Sequence, residues 1–109
     1  MKQLMDHAVS VLNAGGIAAG RVYPNVWQPV GTGVMATVGI GKMDDTSKQV
    51  QILVVTTSSV GAAACEDGAL KVCGLLKSLG QVRIDGPCKY DGKSDLFTME
   101  LTLSVGSME

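Results

Sequence analysis

The stretch Val50–Thr57, VQILVVTT, limits the fold more than any other in this chain. It is rich in β-branched residues and apolar at four consecutive positions, Ile52, Leu53, Val54 and Val55. β-Branched side chains sit comfortably on an extended backbone and pack well on a pleated surface. A strand whose apolar residues face both ways belongs inside a sheet, covered on both sides. The chain must therefore build a sheet around this segment.

The flanking sequence supplies the neighbours. Val34, Ala36, Val38 and Ile40 alternate with Met35 and Thr37, which predicts a second strand. The polar run Gly41–Lys48, GKMDDTSK, then predicts the tip of an antiparallel hairpin. After Thr57, Ser58 and Ser59 offer an N-cap for a helix over Val60–Leu79. Its apolar stripe would comprise Ala62, Ala63, Cys65, Ala69, Leu70, Val72, Cys73, Leu76 and Leu79, with Gly80 as C-cap. Gly61, Gly68 and Gly74 each cost about 1 kcal/mol relative to alanine inside a helix. Small residues there let a helix backbone lie close to a sheet.

Leu4, Ala8, Val11 and Leu12 share one face of a helix over Lys2–Asn13, which Asn13-Ala14-Gly15-Gly16 stops. Ile17–Gly20 reads as a short extended piece or a turn, and Gly20–Gly33 as a loop. QVRID is an alternating strand with Val82 and Ile84 inward, broken by Gly86-Pro87. KYDGKSDLFTMELTLSV reads as two strands about the turn Asp91–Ser94. In the second, Phe97, Met99, Leu101, Leu103 and Val105 share a face. The expected fold is α+β, one domain over residues 1–109, in the order α-β-β-α-β-β. Two helices pack on a single antiparallel or mixed sheet of four to five strands.

Only four side chains in 109 residues are aromatic, so the core must be aliphatic. Charged residues make up 17% of the chain, below the usual quarter, which suggests surface that a partner covers. The net charge is −1 and the nine Lys and Arg are scattered. That excludes a basic footprint, and no sequence-specific contact with nucleic acid is expected. No apolar run reaches the ~20 residues needed to span a bilayer, so no membrane partner is expected. Asp6 and His7 interrupt the N-terminal segment where a secretory signal would be apolar, so a cytosolic chain is expected. Cys65, Cys73 and Cys88 are odd in number and widely spaced, which argues for free thiols instead of a disulfide framework or zinc cluster.

The glycine-rich segment Gly20–Lys42 does not form a phosphate cradle. Gly41-Lys42 is followed by Met43, and Ala36 stands where a P-loop needs its first glycine. Gly31 and Gly33 precede a strand instead of a helix and lack the third glycine of a dinucleotide fingerprint. His7 is the single histidine and is expected on an exposed helix face. Asp91, Ser94 and Asp95 lack calcium-loop spacing. No metal, cofactor or catalytic constellation is expected, and Asp44-Asp45 reads as a solvated or partner-matching pair at a hairpin tip. Tyr23 and Trp27 either cap one end of the core or anchor an interface from their proline-bounded loop.

A helix, then VYPNVWQP, then a hairpin with a polar tip, then a helix opened by TTSS, then KYDGKSDLFTMELTLSV resembles the small tail-completion proteins of tailed bacteriophages. These are the tail terminators and related head-tail joining proteins. The resemblance spans nearly the whole chain through element order and size. It implies a non-enzymatic structural subunit that assembles as a ring, often of six copies, on the end of the tail tube. The implied partners are copies of itself, the tail tube and head-tail connector proteins. The implied locations are the virion and, before assembly, the host cytoplasm. Carried onto this chain, Lys42, Met43, Asp44, Asp45 and Lys48 become contact candidates, beside Tyr23 and Trp27. The alternative reading is a small cytosolic α+β module that binds a ligand or peptide, with the outer face of Val50–Thr57 or the Tyr23–Trp27 loop bordering the pocket.

Overall fold

In the computed structural model, residues 2–21, 33–43 and 47–106 are described. They form α1 (Lys2–Ala14), β1 (Ala18–Arg21), β2 (Val34–Met43), β3 (Ser47–Thr57), α2 (Ala62–Leu76), β4 (Gln81–Ile84), β5 (Lys89–Asp91) and β6 (Leu96–Gly106). The strands make one mixed sheet in the order β1-β2-β3-β6-β4, with β5 on the same side of β6 as β4. β1 runs parallel to β2 and every other pairing is antiparallel. The α+β class and single sheet match the sequence expectation, but the strand count is six and the order is α-β-β-β-α-β-β-β.

The additional first strand comes from side-chain chemistry that strand patterning does not register. Leu12 and Asn13 end α1 in a paired turn: Ile17 N–H donates to Leu12 O at 2.9 Å and Gly16 N–H to Asn13 O at 3.1 Å. Gly16, at φ 92°, supplies the left-handed residue this motif needs. The Asn13 carboxamide then satisfies both backbone groups of Ala19, accepting from its N–H at 3.1 Å and donating to its carbonyl at 3.3 Å. An amide side chain thus stands in for a neighbouring strand and lets AAGR extend along β2.

β3 is the interior strand that its sequence demanded. It pairs with β6 from Ser47↔Gly106 to Thr57↔Leu96 and with β2 from Met43↔Lys48 to Val34↔Thr56. Val50, Ile52 and Val54 are fully buried and share one core with Ala36, Val38, Met99, Leu101 and Leu103 of the sheet. Met5, Ala8 and Leu12 of α1 and Cys65, Ala69, Val72 and Leu76 of α2 complete that core, so both helices cover the same face. Each large aliphatic side chain sealed there contributes about 1.5–3 kcal/mol. On the opposite face Val55 and Met35 are also only 2% exposed, although no described helix lies over them.

Two expectations for α2 are corrected. The helix starts at Ala62 with Gly61 as N-cap, and no side chain caps it. Ser58 is unavailable because its hydroxyl donates to Asp95 Oδ2 at 2.8 Å, and Ser59 Oγ lies 3.1 Å from Thr57 Oγ1. The helix also ends at Leu76, and Gly80 is not its left-handed cap. A Cβ at Gly80 would stand 2.3 Å from the Ser104 carbonyl oxygen, so glycine is needed there for close approach to β6. Gly68 likewise brings α2 down on β2, where a Cβ would meet Val34 at 2.5 Å.

β4 and β5 lie in succession along the outer side of β6, separated by the Gly86-Pro87 break that the sequence marked. Val82 packs on the core as expected, but Ile84 does not, being 40% exposed at the sheet edge. On β6, Met99, Leu101 and Leu103 are buried on the expected face, with Phe97 and Val105 partly covered.

The two kinds of glycine in this region should behave oppositely. Gly80→Ala has to push backbone against backbone, and a loss of several degrees in Tm is expected. Gly74 is helical with open space beside it, so Gly74→Ala should stabilise by about 0.5–1 kcal/mol. Thermal and urea unfolding of both variants checks this; equal effects would refute the close-approach role of Gly80.

Candidate functional site

The predicted interface residues fall into two groups. Tyr23, Trp27, Asp44 and Asp45 lie outside the described residues. Lys42 and Met43 are on the last residues of β2, and Lys48 is on β3 directly across from Met43. The polar run is therefore not all turn, because the strands continue through Met43 and resume at Ser47, with a register shift between Ile40 and Met43. A bulge of this kind sharpens the local twist and re-aims a hairpin end. Lys48 is half-buried and also sits beside Val105 of β6.

Sequence reasoning missed a second surface. Among the described residues, four large apolar side chains are exposed: Leu70 at 63%, Tyr90 at 56%, Ile84 at 40% and Val60 at 39%. Leu70 lies mid-helix on the outer face of α2, with Ala63, Glu66, Asp67, Gly74 and Lys77 exposed around it. It was expected in the buried stripe. The buried positions Cys65, Ala69, Val72 and Leu76 follow alternating steps of four and three, and Leu70 falls one full step, about 100°, off that line. The spacing was readable; the breadth of the apolar stripe concealed it. Ile84 and Tyr90 belong to the β4–β5 edge, where the Tyr90 ring tilts against Phe97 with centroids 5.3 Å apart.

A cleft of about 380 Å³ opens where α2 meets the turn between α1 and β1. Gly16, Ile17, Val34, Ala64 and Gly68 form a mostly apolar lining, and Asp67 and Lys71 bring one charge of each sign. This cleft lies on the helix side of the sheet, away from the outer face of Val50–Thr57, one of the two places where the ligand-binding alternative put a pocket; the other, the Tyr23–Trp27 loop, lies outside the described residues.

The acidic residues are occupied by the chain itself. Asp85 accepts from Arg83 Nε at 2.7 Å and from the Thr102 hydroxyl, which is buried and also receives Gln51 Nε2 at 3.5 Å. Asp91 accepts from the Lys93 N–H at 3.1 Å and the Ser94 hydroxyl at 2.8 Å. Asp95 accepts from the Tyr90 and Ser58 hydroxyls, and holds a left-handed backbone at φ 59°. These donors favour the ionised form, so all three carboxyls are held below their ordinary pKa. The Tyr90 phenol is raised in turn, chiefly by its bond to Asp95.

Asp6 pairs with Arg21 at 2.8 Å across α1 and β1, and His7 is exposed beside it. The Cys65 thiol is buried against the Val54 carbonyl at 3.9 Å. Burial first, then the neighbouring Cys88 thiol, pushes its pKa up to about 11. Cys73 is raised by burial alone. Among the described residues, no three His, Cys, Asp or Glu side chains come together as metal ligands, and no described helix is long and apolar enough to cross a membrane.

No family model matches this chain, and no curated protein matches it.

Asp85 offers a test of the open-face polar cluster. A carboxyl whose folded pKa lies below its unfolded value adds stability that is fully present above about 3.8 and is lost as pH falls through the lower folded value. Carboxyl NMR titration should therefore give Asp85 a midpoint below 3.8, and Thr102→Val should move it upward because the Thr102 hydroxyl is the largest cause. An unchanged midpoint in Thr102→Val would remove that hydroxyl from the account.

Proposed function

We propose that this chain is a structural tail-completion subunit of a phage or prophage, tail-terminator-like or a neck subunit, that assembles as a ring on the end of a tail tube. The observation that carries the reading is Leu70, a large apolar side chain 63% exposed at the centre of α2 with small Ala63 and Gly74 on the same outer face. A Leu left in water mid-helix loses the burial energy that the rest of the helix gains. A head-to-tail contact between copies restores it, and rotation about a common axis closes such contacts into a ring. The long β2–β3 hairpin supports the reading as well. It carries Lys42, Met43 and Lys48 at the end of three long strands, with Asp44 and Asp45 between them in sequence. Opposite charges grouped at a hairpin end suit a neighbouring subunit or the tube surface. In this reading the protein works by shape and contact and carries no catalytic group.

Light scattering over a concentration series and electron microscopy, with and without purified tail tubes, test the proposal. Rings in solution or on tube ends are expected. Leu70→Glu should abolish them while leaving Tm within a degree or two, since the side chain is exposed in the subunit. Replacing Asp44 and Asp45 together by Ala should weaken attachment to tubes at unchanged Tm. A monomer at all concentrations that also leaves tube ends uncapped would overturn the reading.

The cleft favours a second reading, a small ligand-binding module. Its apolar lining with Asp67 and Lys71 fits a compact molecule bearing an apolar body and both an amino and an acidic group. A thermal-shift panel of such zwitterions separates the two: stabilisation lost in Lys71→Ala supports the module, and no shift with any compound counts against it.

A further inference from the structure

Cys65 and Cys88 are far apart in sequence and border the same core in the fold. Cys65 stands in the first turns of α2, fully buried, with its thiol against the Val54 carbonyl. Val54 pairs with Met99 across β3 and β6. Cys88 immediately precedes Lys89, which pairs with Thr98, so Cys88 stands next to Met99 on the other side of β6. Strand alternation sends Cys88 to the helix face, and it packs there, half-buried, against the core that contains Cys65 and Met99. The neighbouring Cys88 thiol contributes to the raised titration of Cys65. Thr56 adds a fully buried hydroxyl beside the pair that has no well-formed hydrogen bond.

We propose that Cys65 and Cys88 form a reversible disulfide that pins the β4–β5 edge to the start of α2. The oxidant is a low-molecular-weight disulfide. Cys88, the more accessible thiol, loses its proton and attacks one sulfur of that disulfide, forming a mixed disulfide and releasing one small thiolate. The Cys65 thiol then gives up its proton and attacks Cys88 Sγ, closing the protein disulfide and releasing the second small thiolate. Two protein thiols and one small disulfide thus become one protein disulfide and two small thiols, with the two released protons taken up by the leaving thiolates. Burial keeps Cys65 protonated at neutral pH, so the second step is the slow one. Cys73, also on α2, is not part of the pair.

The closed loop encloses most of α2, all of β4 and the Gly86-Pro87 break. Crosslinking a loop of this size constrains the unfolded chain, and a Tm rise of about 10 °C is expected. Its local effect is to hold Ile84 and Tyr90, two of the exposed apolar side chains, in one position relative to α2.

Oxidised glutathione provides the test with the purified full chain. The expected product has lost two hydrogens, retains one of its three thiols, and gives a peptide linking Cys65 to Cys88 on digestion without reductant. Dithiothreitol should restore all three thiols and the lower Tm. Cys73→Ser should form the same link, and Cys65→Ala should keep glutathione on Cys88 as a lasting mixed disulfide. A lasting glutathione adduct on wild-type Cys88, a link involving Cys73, or three thiols surviving at oxidant levels that consume those of the urea-unfolded chain would each overturn the proposal. The linked-peptide readout from the wild type holds even where Cys65→Ala folds poorly.

Discussion

β3 is hydrogen-bonded on both sides along nearly its whole length, and the rest of the molecule is arranged to satisfy that condition. An interior strand leaves no backbone group for water, so its neighbours must match it in length and register. β2 and β6 do, and the three long strands carry a continuous floor of Val, Ile, Leu and Ala for the helices. With so few aromatic rings to fill space, density has to come from close approach. Gly68, Ala69 and Cys65 on α2 provide it, and Gly80 lets the chain pass against the β6 backbone at the far end. Gly68, which weakens α2 as an isolated helix, is thus also the residue that lets it lie this close to the sheet.

The margins of the sheet are handled differently from its centre. β1 and β4 have four residues each and β5 only three. Asn13 closes β1 at Ala19, and Pro87, which has no N–H to donate, falls in the break between β4 and β5. Short, interrupted edges discourage strand addition by another chain. Association through this fold is therefore better served by side-chain surfaces such as the Leu70 face of α2 than by extension of the sheet. That supports an assembly whose geometry is set by rigid elements instead of by pairing register.

The sequence was most legible where periodicity and burial coincide. Alternation identified β6 and its inward face, the apolar run identified β3, and Asn13 to Gly16 marked the end of α1. It was least legible where a residue serves a distant partner. Ser58 has the chemistry of an N-cap, but Asp95, remote in sequence, claims its hydroxyl and the helix starts later, at Ala62. Ile17–Gly20 left open an extended piece or a turn because Ala and Gly carry too little side chain to choose, and Asn13 makes Ala18–Arg21 a strand. Ile84 fits the alternation of β4, yet an edge strand with nothing above it leaves alternate positions in water. For the site, Lys42, Met43 and Lys48 were assigned to a turn, whereas strand pairing runs up to Met43 and Lys48. Leu70 was hidden by the many apolar neighbours on α2.

The three carboxylates with lowered pKa bear directly on how the molecule acts. Perturbed acids often mark a reactive site, but an acid that serves substrate needs an oxygen free to face it. Asp85, Asp91 and Asp95 each engage both carboxylate oxygens with donors from their own turns or the adjoining strands. Their shifts arise from holding the β4–β5 break, the β5–β6 turn and the β3–α2 junction in shape. These three carboxylates thus fix loops relative to one another. In the ring proposed above, junctions locked in this manner would present the same contour to every copy, where variation at one contact would be carried around to all the others.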